Sequence, residues 1–401
     1  MNMKKYLQIG AMVLITAGSA SANVTYLSGA TSFEAITDAA LTNFVAANNG
    51  ARVAWDNATL GKETNEIFTW GSSSPTNLIL VHWTGSENVI QALAAPLASP
   101  VTLNYLATNA TGLSTNTTNL KSPQVALYDN YQSTSIFNGT GAGDSKNYST
   151  ILNDTVVAAE GYVIIANTNW PIARATNITS AQVRELYAAG AVPLVYITGN
   201  QADTNSSVFA VGRNIDGGTR TVLLNESGIG VKSKIVQYQF TATNSITPYP
   251  IETIDGISSG RLGNSGYSTD GALRGIFTNV LAGGAGIDQS GNWAGYAGGS
   301  NYLVGYTSIH NATGSPGIVQ LNYNGVAPTT ANIQNGTYSL WAFAHVGVSP
   351  NFADATATNI GTSLANIILG FSSSALGAGN SALSDLQVTR DTDGGNIYWN
   401  Q

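Results

Sequence analysis

The sequence predicts an α/β protein built as two lobes. Segments with apolar residues at helical spacing alternate along the chain with short apolar runs of strand length. About 380 residues remain once a leader is set aside, more than the roughly 250–300 that one hydrophobic core usually supports. The chain has no cysteine, so no disulfide or thiolate metal site organises it.

Lys4 and Lys5, the apolar run from Ile9 to Ala17 and the small residues Ala20-Ser21-Ala22 have the form of a secretory signal cut before Asn23. The run is too short to span a bilayer, and without cysteine no lipid anchor can be attached. The expectation is a soluble, monomeric chain, periplasmic or secreted, with residues 1–22 removed. Losing Lys4 and Lys5 takes the formal charge from −7 to −9. That acidity argues against nucleic acid as a partner. It does not forbid a small anion, because a buried site sets its own field.

Helices are expected over 33–45 (Phe33, Ile36, Leu41, Phe44, Val45), 84–93 (Val89, Ile90, Leu93), 177–190 and 268–284 (Leu273, Ile276, Phe277, Val280, Leu281). Thr31-Ser32-Phe33-Glu34 and Thr84-Gly85-Ser86-Glu87 fit capping boxes. The third helix is capped near Thr179 and stopped by Gly190. Strands are expected at 78–83, 124–129, 161–167, 192–197, 207–213, 302–306 and 338–348. Residues 56–77 and 97–122 look like inserted loops, and no repeat of fixed period appears.

"VGRNIDGGTR" (211–220) concentrates charge in a chain of which only 9% is charged. It also belongs to a set of three places where Gly, Ser or Thr introduces a helix: Ser32-Phe33, Gly85-Ser86 and Gly217-Gly218-Thr219. The first turn of a helix carries unpaired N–H groups and the positive end of a dipole, and small residues let an anion approach it. The hydroxyls of Ser32, Ser86 and Thr219 add donors, and the planar guanidinium of Arg213 suits oxyanion oxygens. In a chain this rich in Ser and Thr, each start alone also reads as an ordinary cap. Arg220 lies one residue into its helix and is expected to face solvent. His82, His310 and His345 are isolated; no metal site or cofactor is expected. Without an activated nucleophile or metal cluster, a phosphatase ranks low and the chain is read as a non-enzyme.

In the same order, "LSGATSFEAITDAALTNF", "WTGSENVIQAL", "PQVALYDNYQST", "EGYVIIANTNWPI", "ITSAQVRELYAAG", the stretch 211–220, "NYLVGYTSI" and "NGTYSLWAFAHV" resemble successive motifs of the phosphate-binding proteins of bacterial phosphate ABC transporters. The resemblance spans most of the mature chain. It implies the type II periplasmic binding-protein fold with two crossover hinge strands. Lobe 1 is then 23–163 plus 343–401, and lobe 2 is 164–342. The implied ligand set is Ser32 and the N–H of Phe33, Ser86, Asp129, Arg213, Gly217, Gly218 and Thr219. The family's serine in Ser-Gly-Thr is Gly217 here. Asp216 is displaced by one position and either orients Arg213 or Arg220 or repels the ligand.

With Asp129 in the set, the ligand must bring a proton. An ionised carboxylate only accepts hydrogen bonds, hydrogen phosphate has an O–H to give, and sulfate has none. Two acceptors facing each other in a dry site cost on the order of 1–3 kcal/mol. The expected function is capture of phosphate, or a related tetrahedral oxyanion, for delivery to an ABC permease. The alternative is an extracellular adhesion or surface protein that keeps the fold.

Overall fold

The computed structural model describes residues 23–58, 63–72, 76–138, 148, 150–242, 245–248, 253–254, 257–258, 263–277 and 301–400. Residues 1–22, read as a leader, and Val280 and Leu281 of the fourth expected helix lie outside them, as do parts of the 56–77 insert. The class is α/β: one large mixed sheet with helices against its faces. Along the sheet the strands run Ala191–Pro193, Ser207–Ala210, Asn301–Ser308, Asn153–Asn167, Trp341–Val348, Val125–Tyr128, Val24–Ala30, Asn77–Thr84, Asn65–Trp70, Arg52–Trp55 and Gly112–Leu113.

Two parallel groups matter for function. Val24–Ala30 lies between Asn77–Thr84 and Val125–Tyr128, parallel to both, with Ala30 opposite Thr84 and Gly29 opposite Leu127. Ser207–Ala210 runs parallel to Asn301–Ser308. The long strand Asn153–Asn167 joins the groups. Its first part pairs with Trp341–Val348, and from Tyr162 onward it pairs with Asn301–Ser308 and Ile318–Tyr323. Gly161 stands at the changeover. A Cβ there would lie 2.7 Å from Gly379 O and 2.8 Å from Ile309 Cδ1, so only a bare backbone fits.

The core follows the same division. One apolar cluster gathers Val163, Ile165, Leu186, Val208, Leu303 and their neighbours. Another gathers Leu27, Leu41, Val81, Leu127, Val346 and Leu364. The second is closed by helices from both ends of the chain, Glu34–Ala47 and Ala355–Leu369, packed on each other. The C-terminal segment then lies across both groups. Tyr131 donates its N–H to Asp393 (2.8 Å) and its hydroxyl to Arg390 O (2.8 Å). Arg390 sits over the Trp341 ring, donates to Trp341 O (2.7 Å) and Ser339 O (3.0 Å), and pairs with Glu226 (3.4 Å).

Several expectations are corrected. Residues 192–197 are not one strand: Pro193 ends the strand Ala191–Pro193, a short helix Val195–Thr198 follows, and Gly199 closes it with φ 69°. Proline has no N–H for a ladder and suits an edge. The 207–213 strand stops at Ala210, which frees Arg213 from the ladder. The inserts are not plain loops. Asn65–Trp70 is a sheet strand, and 97–122 carries Leu103–Tyr105 paired with Asn119–Lys121, burying Leu103 and Tyr105. The fourth helix is seen over Asp270–Phe277. Ala355–Leu369 is not among the helices expected from the sequence.

Candidate functional site

Parallel strands all release their chains at one edge, and a crevice at that edge is the usual ligand position of open α/β sheets. Here three adjacent strand ends, Ala30, Thr84 and Tyr128, are followed within two residues by Ser32, Ser86 and Asp129. The strand register therefore places them side by side. The Ser32 hydroxyl donates to Asp129 Oδ2 and the Ser86 hydroxyl to Asp129 Oδ1. Asp129 N–H donates back to Ser86 Oγ at 3.2 Å.

These hydroxyls are not helix caps, and the two expected capping boxes do not form. The N-cap of the first helix is Phe33 and that of Ser86–Ala94 is Gly85; neither makes a side-chain cap bond. Gly217, N-cap of Gly218–Glu226, has no side chain to offer. By contrast Thr179, Ser308, Thr329, Asp354 and Ser372 each accept the N–H three residues on, and Thr179 with Gln182 completes a capping box. The hydroxyls near the first two starts point instead at a shared carboxylate.

The opposite wall is the turn 213–219. Gly218 is pressed onto the first wall: a Cβ there would lie 2.7 Å from Ser86 Cβ, 2.7 Å from Asn130 Oδ1 and closer still to Asp129 Oδ1. Gly217 lies on Arg213, whose Cζ would be 3.3 Å from a Cβ at 217. Arg213 is 1% exposed. Its Nε and Nη2 donate to Tyr267 O (3.1 Å) and Ser268 O (3.0 Å), two of the five N–H groups a guanidinium carries. Its own N–H donates to the Tyr306 hydroxyl at 2.9 Å. Thr219 is buried on the first helical turn.

Ser32, Ser86 and Gly218 thus all meet Asp129, and Gly217 beside Gly218 lies on Arg213. Two implied backbone donors are engaged locally: Phe33 N–H with Ala30 O (3.1 Å) and Gly217 N–H with Asn214 O (3.2 Å). Arg220 does not face solvent. It is buried and donates to Arg213 O (3.2 Å) and Asn264 O (3.0 Å), bracing the turn. Asp216 is tied to both its own turn and the facing wall. Oδ2 accepts from Asn214 (3.2 Å), and its carbonyl accepts the Glu87 N–H (3.1 Å).

Sequence reading missed Glu87, Asn130, Ser135, Thr221 and Tyr162. Glu87 had been read as half of a capping box; its carboxylate instead accepts from Asn130 (2.9 Å), Thr221 (2.9 Å) and Ser135. Burial pushes its carboxyl up to about 8, against the bonds from Ser135 and Thr221. Tyr162 donates to Asp129 O at 3.2 Å. Behind it Glu160 is fully buried, and its carboxyl is pushed well up by burial and then by Asp129 and Asp270. The sequence signal for Asn130 and Glu87 was adjacency alone, each following a site residue. Among the described residues no group of three or more His, Asp or Glu side chains is placed to hold a metal ion, and no helix is long and apolar enough to cross a membrane.

No family model matches the sequence, and no curated protein matches it. Solved structures do resemble it in shape. One, from Clostridium perfringens, carries bound phosphate and is assigned to a phosphate ABC transporter substrate-binding protein. It shares 13% identity over 87% of this chain and 93% of its own, with a TM-score of 0.47. An ABC-type phosphate transport receptor from Vibrio cholerae shares 15% identity over 88% and 98%, with a TM-score of 0.45. The CcmR regulatory domain of Synechocystis, in complex with 2-PG, shares 10% over 87% and 99%, with a TM-score of 0.40. Likeness at this level decides nothing about ligand or partner; those rest on the chain's own residues.

Proposed function

We propose that this chain is an exported solute-binding protein that holds phosphate, or a related protonated tetrahedral oxyanion, between two lobes and delivers it to an ABC permease. On this reading the lobes are 23–163 with 343–401, and 164–342. The observation that carries it is that Ser32, Ser86 and Gly218, at three helix starts without side-chain caps, all meet the Asp129 carboxylate, with the buried Arg213 guanidinium against the neighbouring Gly217. A tetrahedral oxyanion needs N–H and O–H donors from several directions and one cation. Ser32, Ser86, the first-turn amides of Gly218 and Thr219, and Arg213 supply them. Asp129 accepts the ligand's proton, and to bind, the two serine hydroxyls turn from Asp129 to the anion. Ligands that lack a proton lose that acceptor match.

One observation favours a second reading, a surface protein that keeps the fold without the ligand: Asp129 already has both oxygens satisfied, and Glu87 already bonds the opposite wall. Calorimetry separates the two. The oxyanion reading expects saturable binding of phosphate, weaker or absent binding of sulfate, and loss of phosphate binding in Arg213→Ala. Folded wild-type protein that takes neither anion overturns it.

A further inference from the structure

Glu87 lies outside the oxyanion set, yet it bonds both walls of the junction. Its Oε1 accepts from Asn130 Nδ2 and from Thr221 Oγ1, both at 2.9 Å, its Oε2 accepts from the Ser135 hydroxyl, and its N–H donates to Asp216 O at 3.1 Å. Asn130 and Ser135 belong to its own wall; Thr221 and Asp216 belong to the opposite one. Glu87 directly follows Ser86, and Thr221 is two residues beyond Thr219, so the bond between them spans the junction beside the anion's seat. The approach is close. A Cβ on Gly85 would lie 2.6 Å from the Asp216 carbonyl carbon and 3.1 Å from Gly217 N.

We infer that Glu87 and Thr221 form a clasp that sets how tightly the two walls close over the oxyanion, making both positioning residues for its capture. The inference rests on the proposed oxyanion reading. A clasp beside an anion serves best without charge. The charged groups that face Glu87 are Asp216, ahead of the Gly218 helix, and Asp393, on the C-terminal segment; Tyr148 adds a phenol. An ionised Glu87 would add to that negative field. Burial holds its carboxyl at about 8 instead of 4.5, so it stays protonated at neutral pH, and in that form its Oε2–H donates to Ser135 Oγ while Oε1 keeps accepting from Asn130 and Thr221. Opening the junction lets water reach it and returns it toward its ordinary range. The closed form therefore holds a proton that the open form releases, and closure weakens as pH rises from that range through about 8, then levels.

The test measures inorganic phosphate binding between pH 5.5 and 9 by calorimetry and stopped flow, for wild type, Thr221→Val, Thr221→Ser and Glu87→Gln. Thr221→Val should raise Kd about 3- to 10-fold, mainly through faster release, and Thr221→Ser should restore it. The ratio of wild-type to Glu87→Gln Kd should climb with pH up to about 8 and then flatten; phosphate's own ionisation is common to both proteins. Wild type that binds phosphate while Thr221→Val matches it, or while the ratio stays flat with pH, overturns the clasp alone. Wild type that binds no phosphate overturns the oxyanion reading and the clasp with it.

Discussion

Gly218→Ala adds one methyl group where the two walls meet. Residue 218 is helical, a conformation any residue adopts, so the substitution brings no backbone strain. The whole effect is contact. The new Cβ would stand 2.7 Å from Ser86 Cβ, where carbon atoms pack at about 3.5–4.0 Å. It would meet Asn130 Oδ1 at 2.7 Å and press on Asp129 Oδ1. Asp129 is fastened by Ser32 and Ser86 at the end of a central strand and has little room to retreat. The walls must therefore part by about 1 Å. At that separation the Thr221–Glu87 bond and the Glu87 N–H to Asp216 O bond fail, each worth about 0.5–1.5 kcal/mol. Together that is about 1–3 kcal/mol against closure, or about 5- to 150-fold in phosphate Kd. Calorimetric titration of both proteins, with far-UV circular dichroism to confirm folding, measures it. A folded Gly218→Ala protein that binds phosphate within about twofold of wild type refutes the reasoning, because a site between these walls cannot ignore an atom placed there.

Other expectations follow from the same geometry. Arg213→Ala leaves Tyr267 O and Ser268 O without their donor and removes the cation, so phosphate Kd should rise at least about 100-fold, with a lower Tm by calorimetry. Asp129→Asn replaces an acceptor-only group by one that also donates, so the ratio of sulfate to phosphate Kd should fall by about 10-fold or more in competition titrations. Thr179→Ala breaks a true capping box far from the site and should cost about 1 kcal/mol in urea unfolding while phosphate Kd stays unchanged. Burial, first in each case, pushes Glu34 up to about 9, Glu66 and Glu87 to about 8 and Asp393 to about 6. Folded protein then binds more protons than unfolded protein, so Tm should fall as pH rises from about 5 to about 9; a Tm that rises across that window contradicts the burial of these carboxyls.

Capping logic singled out Ser32 and Ser86, and the structure gives their hydroxyls a different partner. Ser32 and Ser86 stood out as capping residues next to helix starts, and they are indeed next to helix starts, but their hydroxyls reach Asp129 across strands. Capping logic is local, whereas the partner of each serine lies 97 and 43 residues away and is fixed by strand register. Glu87 was absorbed by the same local pattern and lost. Thr179 satisfied the pattern and is simply a cap. Arg220 appeared solvent-facing because a charged residue early in a helix usually is; the Asn264 and Arg213 carbonyls that hold it come from other elements. At 192–197 an apolar run of strand length proved to be an edge strand and a helical turn, a choice periodicity cannot make over six residues. The strand Leu103–Tyr105 was hidden by the Thr and Asn content of its insert, since only its alternate positions Leu103 and Tyr105 face inward.

The packing of Ala355–Leu369 against Glu34–Ala47 joins the end of the polypeptide to its beginning. A nascent chain grows from its N-terminal side at about 5–20 residues each second, so the helix Glu34–Ala47 waits, without its packing partner, while some three hundred residues are synthesised. The intervening stretch has its own apolar cluster and can assemble first. The helix Glu34–Ala47 thus gains its partner late, and removing Ala355–Leu369 should cost it that shelter.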